Sequence, residues 1–76
     1  MTASDGPRYQ AGTAYETLGG TFVWIERVSP LGQWVGRGVD TISGQVTITS
    51  HYQRRGDAVA ALSRVIPQAA RALDDS

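Results

Sequence analysis

Trp24, Trp34 and Arg37 are the residues of this 76-residue chain whose types and spacing say most about chemistry. On one exposed sheet face they would form an aromatic and cationic patch. Such patches are typical of binding hot spots and also suit stacking on nucleic-acid bases. The alternative is that at least one tryptophan lies in the core, where its indole N–H needs a hydrogen-bond partner.

His51 is the only histidine, and the chain has no cysteine. A general base or a metal site needs further partners of these types. Ser50 precedes His51, but adjacent strand residues point to opposite faces, which argues against a nucleophile–base pair. We interpret His51 as a partly exposed strand residue, and we predict no catalytic residue, no metal site and no cofactor.

The charge of the chain is balanced, with seven arginines, no lysine and seven acidic residues. Neutral net charge counts against a general nucleic-acid binder, because phosphate neutralisation supplies most of the affinity of such proteins. The arginine bias indicates a GC-rich source, such as an actinobacterium or one of its phages. The sequence has no apolar run of membrane-spanning length and no signal-peptide pattern, so we expect a soluble, cytoplasmic protein with no membrane partner.

The chain is expected to form one small domain. Residues 1–13 are small and polar and predict a flexible N-terminal arm. The single domain is expected over residues 14–74, with a frayed C-terminal end at 75–76. Residues 14–18 either form a short strand or stay extended.

Three strands are predicted from β-branched and aromatic residues at 21–28, 33–41 and 45–53. Asp57 is a suitable N-cap for the helix that follows. Apolar residues then recur at helical spacing up to Leu73, but Pro67 interrupts this stripe. We therefore predict a helix kinked at Pro67, or two short collinear helices.

These elements predict an α+β fold, in which a three-stranded antiparallel meander packs on one C-terminal helix in the order β-β-β-α. Gly36 and Gly38 lie on one strand face and would let the alanine-rich helix approach closely. Arg37 would then point to the uncovered face. If the turn pairs Val28 with Gln33, Trp24 lies opposite Arg37 on that face.

The stretch ERVSPLGQWVGRGVDTISGQVTITSHYQRRGDAVAAL resembles the DNA-binding domain of plant ethylene-response factors and the arm-binding domains of phage integrases. HicB-like antitoxins share this β-β-β-α topology. The resemblance implies a sheet that enters the major groove of DNA. It is carried by residues that fall at the family positions without a gap: Arg27, Pro30, Gly32, Trp34, Asp40, Gly44, Tyr52 and Ala58.

We therefore predict a small non-enzymatic binding module, of phage or actinobacterial type, that works through its uncovered sheet face. A protein is the expected partner, because the charge is neutral and the patch mixes aromatic and polar residues. A DNA-binding domain is the alternative, and a structural homodimer is the second alternative. The candidate partner-binding residues are Trp24, Arg27, Arg37, Thr47 and Thr49, with Arg54 and Arg55 as flanking basic residues.

Overall fold

A computed structural model describes residues 6–74 and has the expected α+β architecture. The described chain forms an antiparallel sheet with two helices after it. The elements are β1 (Arg8–Ala11), β2 (Tyr15–Glu16), β3 (Thr21–Ser29), β4 (Gln33–Asp40), β5 (Val46–Ile48), α1 (Arg55–Val65) and α2 (Ala69–Asp74).

The sheet has five strands rather than the predicted three. Strands β3, β4 and β5 form the expected meander, but β1 and β2 both pair with the other edge of β3. Residues 8–11 of the predicted flexible arm therefore form a strand, and the segment 14–18 contributes β2. The start of that arm, residues 1–5, and the predicted frayed end, 75–76, lie outside the described residues.

The β3–β4 hairpin has the predicted register. Val28 pairs with Gln33, and Trp24 lies opposite Arg37. Gly32 in the connecting turn has a φ of 68°, a left-handed conformation that glycine adopts without steric cost. The turn therefore fixes which side chains share a face along the whole hairpin.

The helical segment is divided at Pro67 into two short helices, as one of the two alternatives predicted, and their collinear arrangement stays a prediction. Proline has no N–H to continue the helical hydrogen bonds, and α1 ends at Val65. The prediction that Asp57 is the N-cap is wrong. The N-cap is Arg54, which makes no side-chain capping hydrogen bond, and Asp57 lies in the first turn of α1.

The helices pack on one face of the sheet, which we call the covered face. The core there is buried and consists of Val23, Ile25, Ala58, Val59, Leu62, Ala69 and Leu73. A Cβ atom added at Gly36 would lie 3.1 Å from Leu62 Cβ and 3.2 Å from the Ala58 carbonyl oxygen. An added Cβ at Gly38 would meet Ile66. Both glycines therefore face the helices, as predicted, and leave room for α1.

Candidate functional site

The other face of the sheet carries no helix within residues 6–74, and we call it the open face. Its members follow from the register, because paired residues on neighbouring strands share a face and Gly36 and Gly38 point to the helices. Trp24 and Arg37 lie on the open face, as predicted. The large side chains of this face belong to Tyr9, Glu16, Phe22, Trp24, Glu26, Val28, Gln33, Val35, Arg37, Val39, Val46 and Ile48.

Three predicted site residues lie on the covered face instead. Arg27 pairs with Trp34, and Thr47 pairs with Gly38. The Thr49 hydroxyl oxygen accepts a hydrogen bond of 2.9 Å from the backbone N–H of Gly36. The prediction that Arg27, Thr47 and Thr49 face outward with Arg37 is therefore wrong. Alternation along β3 puts Arg27 on the side opposite Trp24 and Glu26, and alternation along β5 puts Val46 and Ile48 on the open face.

The two flanking arginines lie at the start of α1. Arg54 is the exposed N-cap residue, and Arg55 is the first residue of the helix. Arg55 lines a cleft together with Arg27 and Trp34, on the side of the sheet that the helices cover. The structure therefore groups Arg55 with Arg27 and separates both from Arg37.

Glu26 is at the centre of the polar contacts on the open face. Its Oε1 accepts a hydrogen bond of 2.7 Å from Arg37 Nε and forms an ion pair with that residue. Its Oε2 accepts a hydrogen bond of 2.9 Å from the indole N–H of Trp24. The carboxylate of Glu26 therefore neutralises the charge of Arg37 locally. It also supplies the hydrogen-bond acceptor that the indole N–H of Trp24 requires.

An aromatic bridge, formed by Tyr9 and His51, crosses the open face. The Tyr9 hydroxyl lies 3.0 Å from His51 Nε2, and the two rings meet edge to face. Tyr9 belongs to β1 and His51 follows β5, so these side chains come from opposite sides of the sheet. Val28 and Val35 on the same face are fully buried although they point away from the helices. We infer that the aromatic bridge closes over them.

The open face also has an uncovered half, an apolar patch formed by Phe22, Val39, Val46 and Ile48. Phe22, Val39 and Val46 are successive partners across three strands, and Ile48 lies opposite Arg37. The side chains of Val46 and Ile48 are 59% and 52% exposed. This half therefore presents aliphatic surface to solvent, whereas the half under the aromatic bridge does not.

The edge of the sheet at β5 adds backbone groups to this patch. The N–H of Asp40 donates to the Gln45 carbonyl, and the N–H of Thr49 donates to the Gly36 carbonyl, each over 2.9 Å. In an antiparallel ladder, alternate residues bond to the neighbouring strand. The backbone N–H and C=O groups of Val46 and Ile48 therefore point away from β4, toward the outer edge.

Asp40 closes the turn between β4 and β5. Its Oδ1 accepts hydrogen bonds from the backbone N–H groups of Ile42 and Ser43, over 2.8 and 3.2 Å. These bonds favour the charged form and hold the pKa of Asp40 below its usual range. The Asp40 carboxylate therefore stabilises the turn between β4 and β5.

No group of three or more histidine, cysteine, aspartate or glutamate residues within 6–74 could hold a metal ion. No helix within the same range is long and apolar enough to cross a membrane.

Sequence reasoning missed Tyr9, because it placed this residue in a flexible arm. The only available signal was one aromatic residue in an otherwise polar segment, RYQA. Comparison of the chain with protein-family models, curated proteins and solved structures finds no match. The resemblance to ethylene-response-factor and integrase arm-binding domains therefore stays a prediction.

Proposed function

We propose that this chain is a non-enzymatic binding module, of the phage or actinobacterial type that its composition indicates, and that it engages a protein partner through the open face. The observation that carries the proposal is the exposure of Val46 and Ile48 beside an unpaired strand edge. Removal of aliphatic surface of this kind from water by a partner is favourable, so it contributes to the free energy of binding.

The chemistry of the patch specifies the partner. Val46 and Ile48 offer outward backbone groups together with apolar side chains, which is the arrangement that accepts an additional strand. No charged residue occurs between Gln45 and Ser50. The partner therefore contributes an extended segment whose apolar side chains lie beside Val46 and Ile48 on the open face.

The DNA-binding alternative has narrower support. Trp24 and Arg37 lie on the open face, as the resemblance implies, but Arg37 is the only arginine among the described residues of that face. Glu26 compensates its charge. A sheet that enters the major groove needs several free cations to contact phosphates and base edges.

The second alternative is a structural homodimer. Two copies of β5 can pair antiparallel about Thr47, which would align Val46 of one copy with Ile48 of the other. This pairing uses the same strand edge as the proposed partner. Dilution of the purified protein separates the two cases, because only a homodimer loses stability when it is diluted.

The test is capture of partners from a lysate by the purified chain, run with and without nuclease, followed by a binding measurement with the captured protein. Val46→Glu places a charge in the apolar patch at an exposed position. We expect it to weaken partner binding by about 100-fold, because an unpaired charge would be buried. Val65→Glu is the matched control, since Val65 is 62% exposed on α1.

The expected result is normal binding by Val65→Glu, loss of binding by Val46→Glu, and little dependence on salt. Two results contradict the proposal. One is equal binding by the two variants. The other is captured DNA that is released by nuclease and whose affinity falls steeply with salt, which would establish the DNA-binding alternative.

A further inference from the structure

A second site lies on the covered side of the sheet, away from the open face. A cleft of about 330 Å³ lies between the segment 10–13, the first residue of α1 and the last turn of α2. Its size is at the lower end of the range for small-molecule sites. Tyr15, Ile25 and Leu73 supply apolar walls, and Arg27 and Arg55 supply the charge.

Arg27 is held in a defined position in this cleft. Its guanidinium carbon lies 5.4 Å from the centroid of the Trp34 ring. Stacking on an indole restricts the guanidinium and leaves its N–H donors free to meet an anion. The one ion pair among the described residues joins Arg37 and Glu26, so neither Arg27 nor Arg55 forms an ion pair with a described carboxylate.

Arg55 is unfavourable where it stands. It is the first residue of α1, and Arg54 is the N-cap. The N-terminus of a helix carries partial positive charge, so cations there oppose the macrodipole and anions are favoured. A residue that is unfavourable for its own helix and lies beside a cleft is a candidate for a functional role. An anion bound between Arg27 and Arg55 would offset the unfavourable interaction between the Arg55 charge and the N-terminal end of the α1 dipole.

We propose that this cleft binds a small organic phosphate, independently of the partner on the open face. Two guanidinium groups carry two positive charges, which match a phosphate monoester dianion. A ligand with one carboxylate would leave one of the two guanidinium charges uncompensated. Arginine forks also fit phosphate oxygens in bidentate geometry. The organic part of the ligand then lies against Tyr15, Ile25 and Leu73.

The test is a titration of the full chain with phenyl phosphate, with inorganic phosphate and with phenol. Binding is followed by NMR at the two indole N–H signals. We expect phenyl phosphate to shift the Trp34 signal saturably and to leave the Trp24 signal unchanged. We also expect it to bind about tenfold or more tightly than inorganic phosphate or phenol, because only it has both the charge and the ring.

Three arginine variants locate the site. Arg27→Gln and Arg55→Gln should each weaken phenyl phosphate binding about tenfold or more, because each removes one charge-assisted contact. Arg64→Gln changes the charge equally in the last turn of α1, and it should bind normally. Arg55→Gln removes a cation that opposes the helix dipole, so loss of binding in this variant does not arise from unfolding.

Several results would overturn the proposal. They are no saturable shift of Trp34 at about 10 mM phenyl phosphate, equal affinity for inorganic phosphate, and unchanged binding by Arg55→Gln. A single-stranded oligonucleotide that binds far more tightly than phenyl phosphate, and competes with it at Trp34, would assign the cleft to nucleic acid instead.

Discussion

The two faces of the sheet each carry an arginine stacked on an aromatic ring, and the two pairs differ in their surroundings. Arg37 lies 5.7 Å from the Tyr9 ring centroid, and Arg27 lies 5.4 Å from that of Trp34. Only Arg37 has a carboxylate partner, Glu26. The two arginines therefore have similar distances to an aromatic ring but differ in whether a carboxylate pairs with the guanidinium.

The two faces are also closed by different means. On the covered face, α1 packs directly over Gly36, so backbone and side-chain atoms of a helix form the second layer. On the open face, Val28 and Val35 are buried although the helices lie on the other side, and we infer that the aromatic bridge closes over them. A helix layer is held by many contacts at once, whereas the bridge is a pair of side chains that can rearrange.

The largest expected effect comes from a substitution that disturbs the packing of α1 on the covered face. Gly36→Ala should lower the free energy of unfolding by about 2 kcal/mol, because the new Cβ would press on Leu62 and on the Ala58 carbonyl, and the helix must shift. Gly56→Ala is the matched control. It has no neighbour within 4 Å, and alanine favours the helix, so it should raise stability by about 0.5 kcal/mol.

Urea unfolding of the two variants measures the difference. Equal stability changes for Gly36→Ala and Gly56→Ala would mean that α1 does not press on the sheet at Gly36.

A smaller effect is expected under the aromatic bridge. Val35→Ala should cost about 1.5 kcal/mol, because two buried methyl groups are lost and the side chains above can settle into the space. Val46→Ala makes the same change at an exposed position of the same face and should stay within about 0.5 kcal/mol of the parent. Thermal unfolding of both variants measures this, and equal losses would mean that the bridge does not seal Val35.

The smallest expected effect distinguishes Arg37, which pairs with Glu26, from Arg27, which does not. A double-mutant cycle of Glu26→Gln with Arg37→Gln should give a coupling free energy of about 1 kcal/mol, since the pair is only partly exposed. The same cycle with Arg27→Gln should give a coupling within about 0.3 kcal/mol of zero, because Arg27 lies on the opposite face. Chemical denaturation at low and high salt measures both cycles, and similar couplings would contradict the assignment of faces.

The β3–β4 hairpin could be predicted from sequence because several local signals agree. SPLG fixes the turn, and the turn fixes the register that places Trp24 opposite Arg37. Gly36 and Gly38 share a face by alternation, and the alanine-rich helix explains why. The break at Pro67 follows from the missing N–H of that residue.

The edge strands could not be predicted in the same way. β1 is polar, and all four of its residues are exposed, so neither periodicity nor burial marks it. Backbone pairing with β3 forms it instead. On β5, alternation separates Val46 from Thr47 but does not say which side faces the helices. The placement of Thr47 and Thr49 on the outside followed the positions that the resemblance implies, whereas this sheet has Val46 and Ile48 on that side.

The division of the two tryptophans between the faces makes the chain its own optical probe. Trp24 donates its indole N–H to Glu26 on the open face, and Trp34 lies beneath the guanidinium of Arg27 on the other. Two single-tryptophan variants would therefore give separate emission spectra for the two faces, without any added dye. Melting of the variant that keeps Trp24 would then report on the aromatic bridge, and melting of the variant that keeps Trp34 would report on the helix layer.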